Sequence, residues 1–168
     1  ECIEVLGRVE AIDLQGGARW VVTGSPVYAE ETLVTGAEAS LKVKFKDESN
    51  VTIGPGTRFQ LDTFDYNPVT EDGKLVASIC KGFFRFVTGR IARKKPENVQ
   101  IHMCVGNIGI RGTQFLAETD SDHSLVMLEA PSSESKTGGH VVILNRVGQE
   151  VYETHLTTFG FGCRVEAG

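Results

Sequence analysis

No apolar run in this sequence approaches the roughly 18 residues that a membrane-crossing helix needs, so a helical membrane span is not expected in it. Positive charge is in deficit as well: 17 Lys and Arg face 22 Asp and Glu, a formal net charge of -5. Nucleic-acid binding draws most of its affinity from neutralising phosphates, so a nucleic-acid partner is not expected either. None of the four cysteines forms CxxC, which removes a zinc ribbon and a thioredoxin-type redox site. There is no GxSxG elbow, no HExxH, and no Ser or Cys nucleophile in a recognised motif with a partner His. The glycine-rich stretch 106–113 lacks GxGxxG spacing, a Lys-Ser/Thr pair and a following amphipathic helix, so it is no phosphate cradle. Helical periodicity is nearly absent. The best helical candidate, residues 29–33, is barely one turn, and without crossover helices a βαβ dinucleotide fold is excluded. No enzymatic activity and no cofactor are expected.

What the sequence does contain fits one all-β domain over residues 1–168. That length is ordinary for a single domain and supports a core without a metal or disulfide staple. Hydrophobic residues at 40% and charged residues at 23% exclude a disordered tail. Nineteen glycines and nine phenylalanines suit tight turns around β packing. Leu41-Lys42-Val43-Lys44-Phe45-Lys46 alternates strictly, as a half-buried strand does. Its three lysines share one strand face, read as a solvated face or as protection of a sheet edge. Asp47-Glu48-Ser49-Asn50 turns the chain, Val51-Thr52-Ile53 resumes the alternation, and Gly54-Pro55-Gly56 stops it. Further short runs at 58–62, 75–79, 83–87, 99–103, 114–117, 125–128 and 141–144 have the spacing of an all-β domain.

Few polar residues gather into a chemistry-bearing pattern. His102 and Cys104 would share a strand face, but two ligands fall short of the four that a structural zinc needs, so no metal is expected. An even cysteine count fits two disulfides in an oxidising compartment, with free buried thiols as the alternative. Arg90, Arg93, Lys94 and Lys95 cluster between two predicted strands, as a solvated mobile loop or as the grip on an acidic partner or polysaccharide. Trp20, Tyr28, Tyr66 and Tyr152 could stack on sugars, although packing in the core is the more ordinary fate of aromatics. Arg111 sits between glycines, where its planar fork can lie on backbone carbonyls or a carboxylate. A contact to an anion or ligand is the other reading of that residue. The start at Glu1-Cys2 suits a trimmed or a mature secreted chain.

Ile108-Gly109-Ile110-Arg111-Gly112-Thr113 resembles the IGIRGT signature of FecR-like domains. Leu33-Val34-Thr35-Gly36 is similar to that family's T-G step, and residues 40–45 with Asp47-Glu48-Ser49 to its strand ending in D-G-S. Residues 51–56 and Lys81-Gly82-Phe83-Phe84-Arg85-Phe86-Val87-Thr88-Gly89 match further segments, so the resemblance runs over about 7–151. Three positions depart from the pattern: Glu48 for the glycine of D-G-S, Cys104-Val105 for Thr-Pro, and Glu129-Ala130 for Glu-Gly.

FecR-like domains are extracytoplasmic, usually periplasmic β modules of Gram-negative bacteria. The best-known members add a cytoplasmic anti-sigma segment and one membrane helix, and relay signals from TonB-dependent receptors during iron-siderophore uptake. The resemblance therefore implies a non-enzymatic sensing or protein-interaction module, in the periplasm or secreted. Sigma-factor control does not carry over to these residues. A structural or carbohydrate-binding envelope module is the alternative. For the fold, the resemblance implies short strands in a solenoid-like or distorted β-helical sandwich, with a jelly-roll sandwich as the alternative. The expected disulfides are Cys2–Cys163, joining the chain ends, and Cys80–Cys104, linking strands that flank 83–87. Arg111 is expected as a structural clamp, and Arg90, Arg93, Lys94 and Lys95 as the partner contact.

Overall fold

A computed structural model describes residues 1–111, 113–130, 139–147 and 149–167, leaving the side chains of Arg111 and Val147 outside the described set. The strands are β1 (Cys2–Leu6), β2 (Val9–Ile12), β3 (Ala18–Trp20), β4 (Thr32–Thr35), β5 (Ser40–Lys44), β6 (Asn50–Ile53), β7 (Arg58–Tyr66) and β8 (Gly73–Val87). A short helix α1 (Arg90–Lys94) and a single 3-10 turn (Pro96–Asn98) follow. Then come β9 (Val99–Met103), β10 (Asn107–Arg111), β11 (Gln114–Thr119), β12 (His123–Glu129), β13 (His140–Val147), β14 (Glu150–Leu156) and β15 (Gly162–Glu166). The chain is thus almost entirely β, as expected.

The strands form one sheet in two layers, not closed into a barrel, and β8 is the strand they share. One layer runs β1-β5-β6-β8-β11-β12-β15 and the other β14-β13-β10-β9-β8-β7-β4-β2-β3. Every pairing is antiparallel except β8 with β9, the one parallel pair among the described strands. The sequence shows two runs, at 75–79 and 83–87, where the structure has a single strand. Its inward set is Leu75, Ala77 and Ile79 in one layer, then Phe84 and Phe86 in the other. The parity changes at the bend, which is why alternation breaks there. Gly82 makes the bend with φ +120. The buried Thr57 closes it, its Oγ1 accepting the Phe83 N–H at 3.1 Å.

Both layers line one core. Phe84 and Phe115 meet edge to face, and Phe86 stacks on Phe115, each pair with centroids 5.9 Å apart. Phe45 and Phe64 meet across the layers at 5.0 Å. Lys42 and Lys44 point away from that core, on the solvated face read from their spacing. At one end of the sandwich α1 inserts Ile91 and Ala92, both buried. No described helix is long and apolar enough to cross a membrane.

Two local expectations are corrected. Residues 29–33 are not helical: Glu30 has φ +70, which breaks a right-handed helix, and β4 then buries Leu33 and Thr35 on a period of two. The basic stretch expected as a mobile loop holds the helix instead. Its five residues are too few to show a 3.6 period, and buried Ile91 and Ala92 anchor it from inside.

Of the two expected disulfides, Cys80–Cys104 forms, with Cα atoms 4.5 Å apart at the ends of the parallel pair β8–β9. Cys2 and Cys163 are free thiols. They occupy β1 and β15, the opposite edges of a seven-strand layer. Six strand spacings of about 4.8 Å separate those edges along the sheet, against the limit of about 7 Å between bridged Cα atoms. The chain ends enter the same layer without meeting.

Candidate functional site

Three of the segments singled out by motif, 47–49, 88–90 and Thr113, meet at the α1 end. Asp47 and Ser49 are fully buried there, although both are polar. Asp47 Oδ1 accepts the Ser49 N–H at 3.1 Å and Oδ2 accepts the Ser49 hydroxyl at 2.7 Å. Ser49 Oγ in turn accepts the Gly89 N–H at 2.9 Å. The Asp47 carbonyl accepts the Arg90 N–H at 2.7 Å, and the Thr113 carbonyl accepts the Thr88 N–H at 3.1 Å. Three segments far apart in sequence are so tied into one junction, and each buried polar group has a partner, as burial demands. Gly89 is required by close approach: a Cβ there would lie 2.2 Å from the Asp47 carbonyl oxygen and 2.4 Å from the Ser49 nitrogen.

The junction aims α1 outward. Arg90 pairs with Glu48 at 2.7 Å and with Glu71 at 2.9 Å. Lys94 and Lys95 pair with Asp72 at 3.2 and 3.0 Å, and Lys94 Nζ also donates to the Thr70 carbonyl. Hydrogen bonding from Arg90, then its charge, holds the Glu48 carboxyl below the usual carboxylate range. Lys95 and then Lys94 do the same for Asp72. An open cleft of about 440 Å³ lies between Glu48, Glu71, Arg90, Arg93 and Lys94. The four cations expected to concentrate positive charge thus face three carboxylates, of which the sequence reading named only Glu48, as a turn residue. Arg93 is exposed and makes no ion pair among the described residues.

Glu48 occupies the turn position where the family has glycine, and it adopts φ +70. That conformation costs an L-residue roughly 1–2 kcal/mol, and glycine nothing comparable. Glu48→Gly and Glu48→Ala both remove the pair with Arg90, so they differ chiefly in this strain. Glu48→Gly is expected to melt above Glu48→Ala by roughly 2–8 °C. Equal melting points would show that the turn relaxes without glycine.

The remaining sequence candidates fall elsewhere. The signature strand β10 lies between β9 and β13, with Ile108 and Ile110 buried, Gly109 opposite Val142 and Arg111 opposite His140. Gly112 and the Arg111 side chain lie outside the described residues, and the clamp expected of Arg111 lies there with them. Cys104 is in the disulfide, and His102 Nδ1 is 2.9 Å from Asn107 Oδ1, so those two do not present a ligand pair. Trp20, Tyr28 and Tyr152 are exposed rather than in the core, while Tyr66 packs against it. Arg8 covers one face of Trp20 at 4.4 Å, and Arg19 that of Tyr28 at 5.6 Å. Sequence reasoning missed Glu71 and Asp72. Their only signal was an acidic pair before a glycine.

Two crystal structures of a candidate anti-sigma factor from Parabacteroides distasonis ATCC 8503 are similar to this chain, at 12% and 14% identity, each with a TM-score of 0.47. In both, the similarity covers 73% of this chain and 58% of that one, so the chain spans less than two thirds of their length. No curated protein matches it. The model of the family described as FecR protein matches residues 31–130, which take in the Asp47 turn, β8, α1 and the signature strand. That is more than half of the sequence, and the chain belongs to the FecR family.

Proposed function

We propose that this chain is an extracytoplasmic, non-enzymatic signalling module that binds a protein partner through the α1 end of the sandwich. Family membership supports a signalling-related regulatory role. The observation that carries the contact face is the buried Asp47–Ser49–Gly89 junction, which fixes a short cationic helix at the rim of a rigid β scaffold. Recognition residues sit on such rims because the scaffold holds them in place before binding. Residues 1–168 act as one module in this reading. Periplasmic placement and a link to iron-siderophore signalling belong to the same proposal, and rest on what members of the family do.

Arg93 is the residue to test, because reversing its charge breaks none of the ion pairs that hold α1. Wild type and Arg93→Glu are used as bait in periplasmic extract, and captured proteins are compared by mass spectrometry across a salt series. The expected result is a partner captured by wild type, progressively released by salt and lost with Arg93→Glu. Equal capture by both baits, independent of salt, rejects this face. Exposed Trp20 and Tyr152 favour a second reading, carbohydrate binding, which predicts retention on a polysaccharide matrix that Trp20→Ala abolishes.

A further inference from the structure

The outer face of the β13–β14 ladder carries His140, His155 and Glu153 in a row. Val142 lies opposite His155, so His140 sits diagonally across from it on the same face, and Glu153 precedes it by two residues. His140 Nε2 is 2.7 Å from His155 Nδ1, with ring centroids 5.0 Å apart and planes tilted by 30°. The other nitrogen of His155, Nε2, is 3.0 Å from Glu153 Oε1. A carboxylate at Nε2 favours the tautomer protonated there, which turns the Nδ1 lone pair toward His140. Metal-bound imidazoles are held in this way, one nitrogen toward the cation and the other N–H on a carboxylate.

We propose that His140 and His155 form a surface site for a divalent cation of the zinc, nickel or copper class, with Glu153 as its positioning residue. Imidazole nitrogen suits these cations better than calcium or magnesium, which prefer oxygen. Two Zn–N bonds of 2.0–2.1 Å at a tetrahedral angle place their nitrogens about 3.3 Å apart. The rings must therefore part by roughly half an ångström and pivot, and the His155 side chain is half exposed, with room to do so. The cation replaces the proton shared between the rings. A structural zinc closes its shell with four protein ligands, whereas no group of three His, Cys, Asp or Glu among the described residues converges to hold a metal. The described residues supply no third ligand, so the remaining positions take water or a donor from elsewhere. The site stands independently of the α1 reading.

The test is titration of zinc chloride, and separately nickel chloride, into the intact disulfide-bonded chain, by calorimetry and by NMR of the imidazole signals. Saturable binding of one equivalent is expected, with the His140 and His155 signals moving together. His140→Gln and His155→Gln should each weaken binding at least about 10-fold, and Glu153→Gln about 10-fold. His102→Gln and His123→Gln should leave it unchanged, and unaltered melting shows that each variant is folded. The site is overturned by a wild type that takes up no equivalent, by histidine signals other than these two moving, or by undiminished binding in the His140→Gln/His155→Gln double variant.

Discussion

Gly82→Ala should destabilise the protein by roughly 2–6 kcal/mol, from a disfavoured backbone conformation and from overpacking together. The residue has φ +120, where an L side chain rarely sits. An added Cβ would lie 2.1 Å from Thr57 Oγ1 and 2.6 Å from Thr57 Cα. Rotating Thr57 frees the first contact but not the second, because Cα moves only with the backbone. That backbone is committed: Thr57 N–H donates to Thr35 Oγ1 at 2.9 Å, and Thr35 Oγ1 donates to the Gly54 carbonyl at 2.6 Å. Relief has to come from opening β8, the one strand both layers share. Since a domain's whole stability is about 5–15 kcal/mol, this single methyl removes a large share of it.

Gly56→Ala is the control. Gly56 has φ +61, and an added Cβ there meets nothing within 4 Å. Only the left-handed backbone cost of about 1–2 kcal/mol applies. Thermal melts should then show Gly82→Ala lowest, Gly56→Ala between, and wild type highest, with roughly 2–4 °C per kcal/mol for a chain of this size. A Gly82→Ala melting point at or above that of Gly56→Ala would mean the layers do not depend on this bend.

The bend also marks how far the sequence could be read. β5, β6, β9 and β12 were legible because each buries one face, so apolar and polar residues alternate without interruption. β14 was not, since six of its seven residues are exposed and Glu150-Val151-Tyr152-Glu153-Thr154-His155 carries no buried period. The edge strands β1, β3 and β15 were missed on similar grounds. At the α1 end, the motif residues Asp47, Ser49 and Gly89 were legible one segment at a time. Their meeting was not, because it depends on β6 and β11 pairing with the same stretch of β8. The carboxylates that face the cations come from two different turns, 48 and 71–72. No local pattern connects those turns to α1.

Removing the disulfide with Cys80→Ser/Cys104→Ser should cost about 3 kcal/mol, from the chain entropy of the loop it closes. The two cysteines are 24 residues apart, and between them run the second half of β8, α1 and all of β9. The bond therefore fixes the crossover that brings β9 back parallel to β8, the one parallel pair among the described strands. Parallel pairing is slightly weaker per residue than antiparallel, and its long connection is entropically costly to close. Loss of the staple should accordingly lower the melting point by roughly 6–12 °C. Reduction of the wild type should reproduce that shift, and should leave the double variant where it was.

Alkylation distinguishes the thiols without mutation. Cys163 is partly exposed and should react first in the native protein. Cys2 is buried, and burial raises its thiol above the ordinary value, so it should react only on unfolding. Denatured but unreduced protein from its native compartment should take up two equivalents of reagent, and reduced protein four. Four equivalents without reductant would mean that the bond does not form where the protein works. The crossover would then be held by noncovalent contacts, among them buried Ile91 and Ala92, the Asp47 junction and the ion pairs of α1.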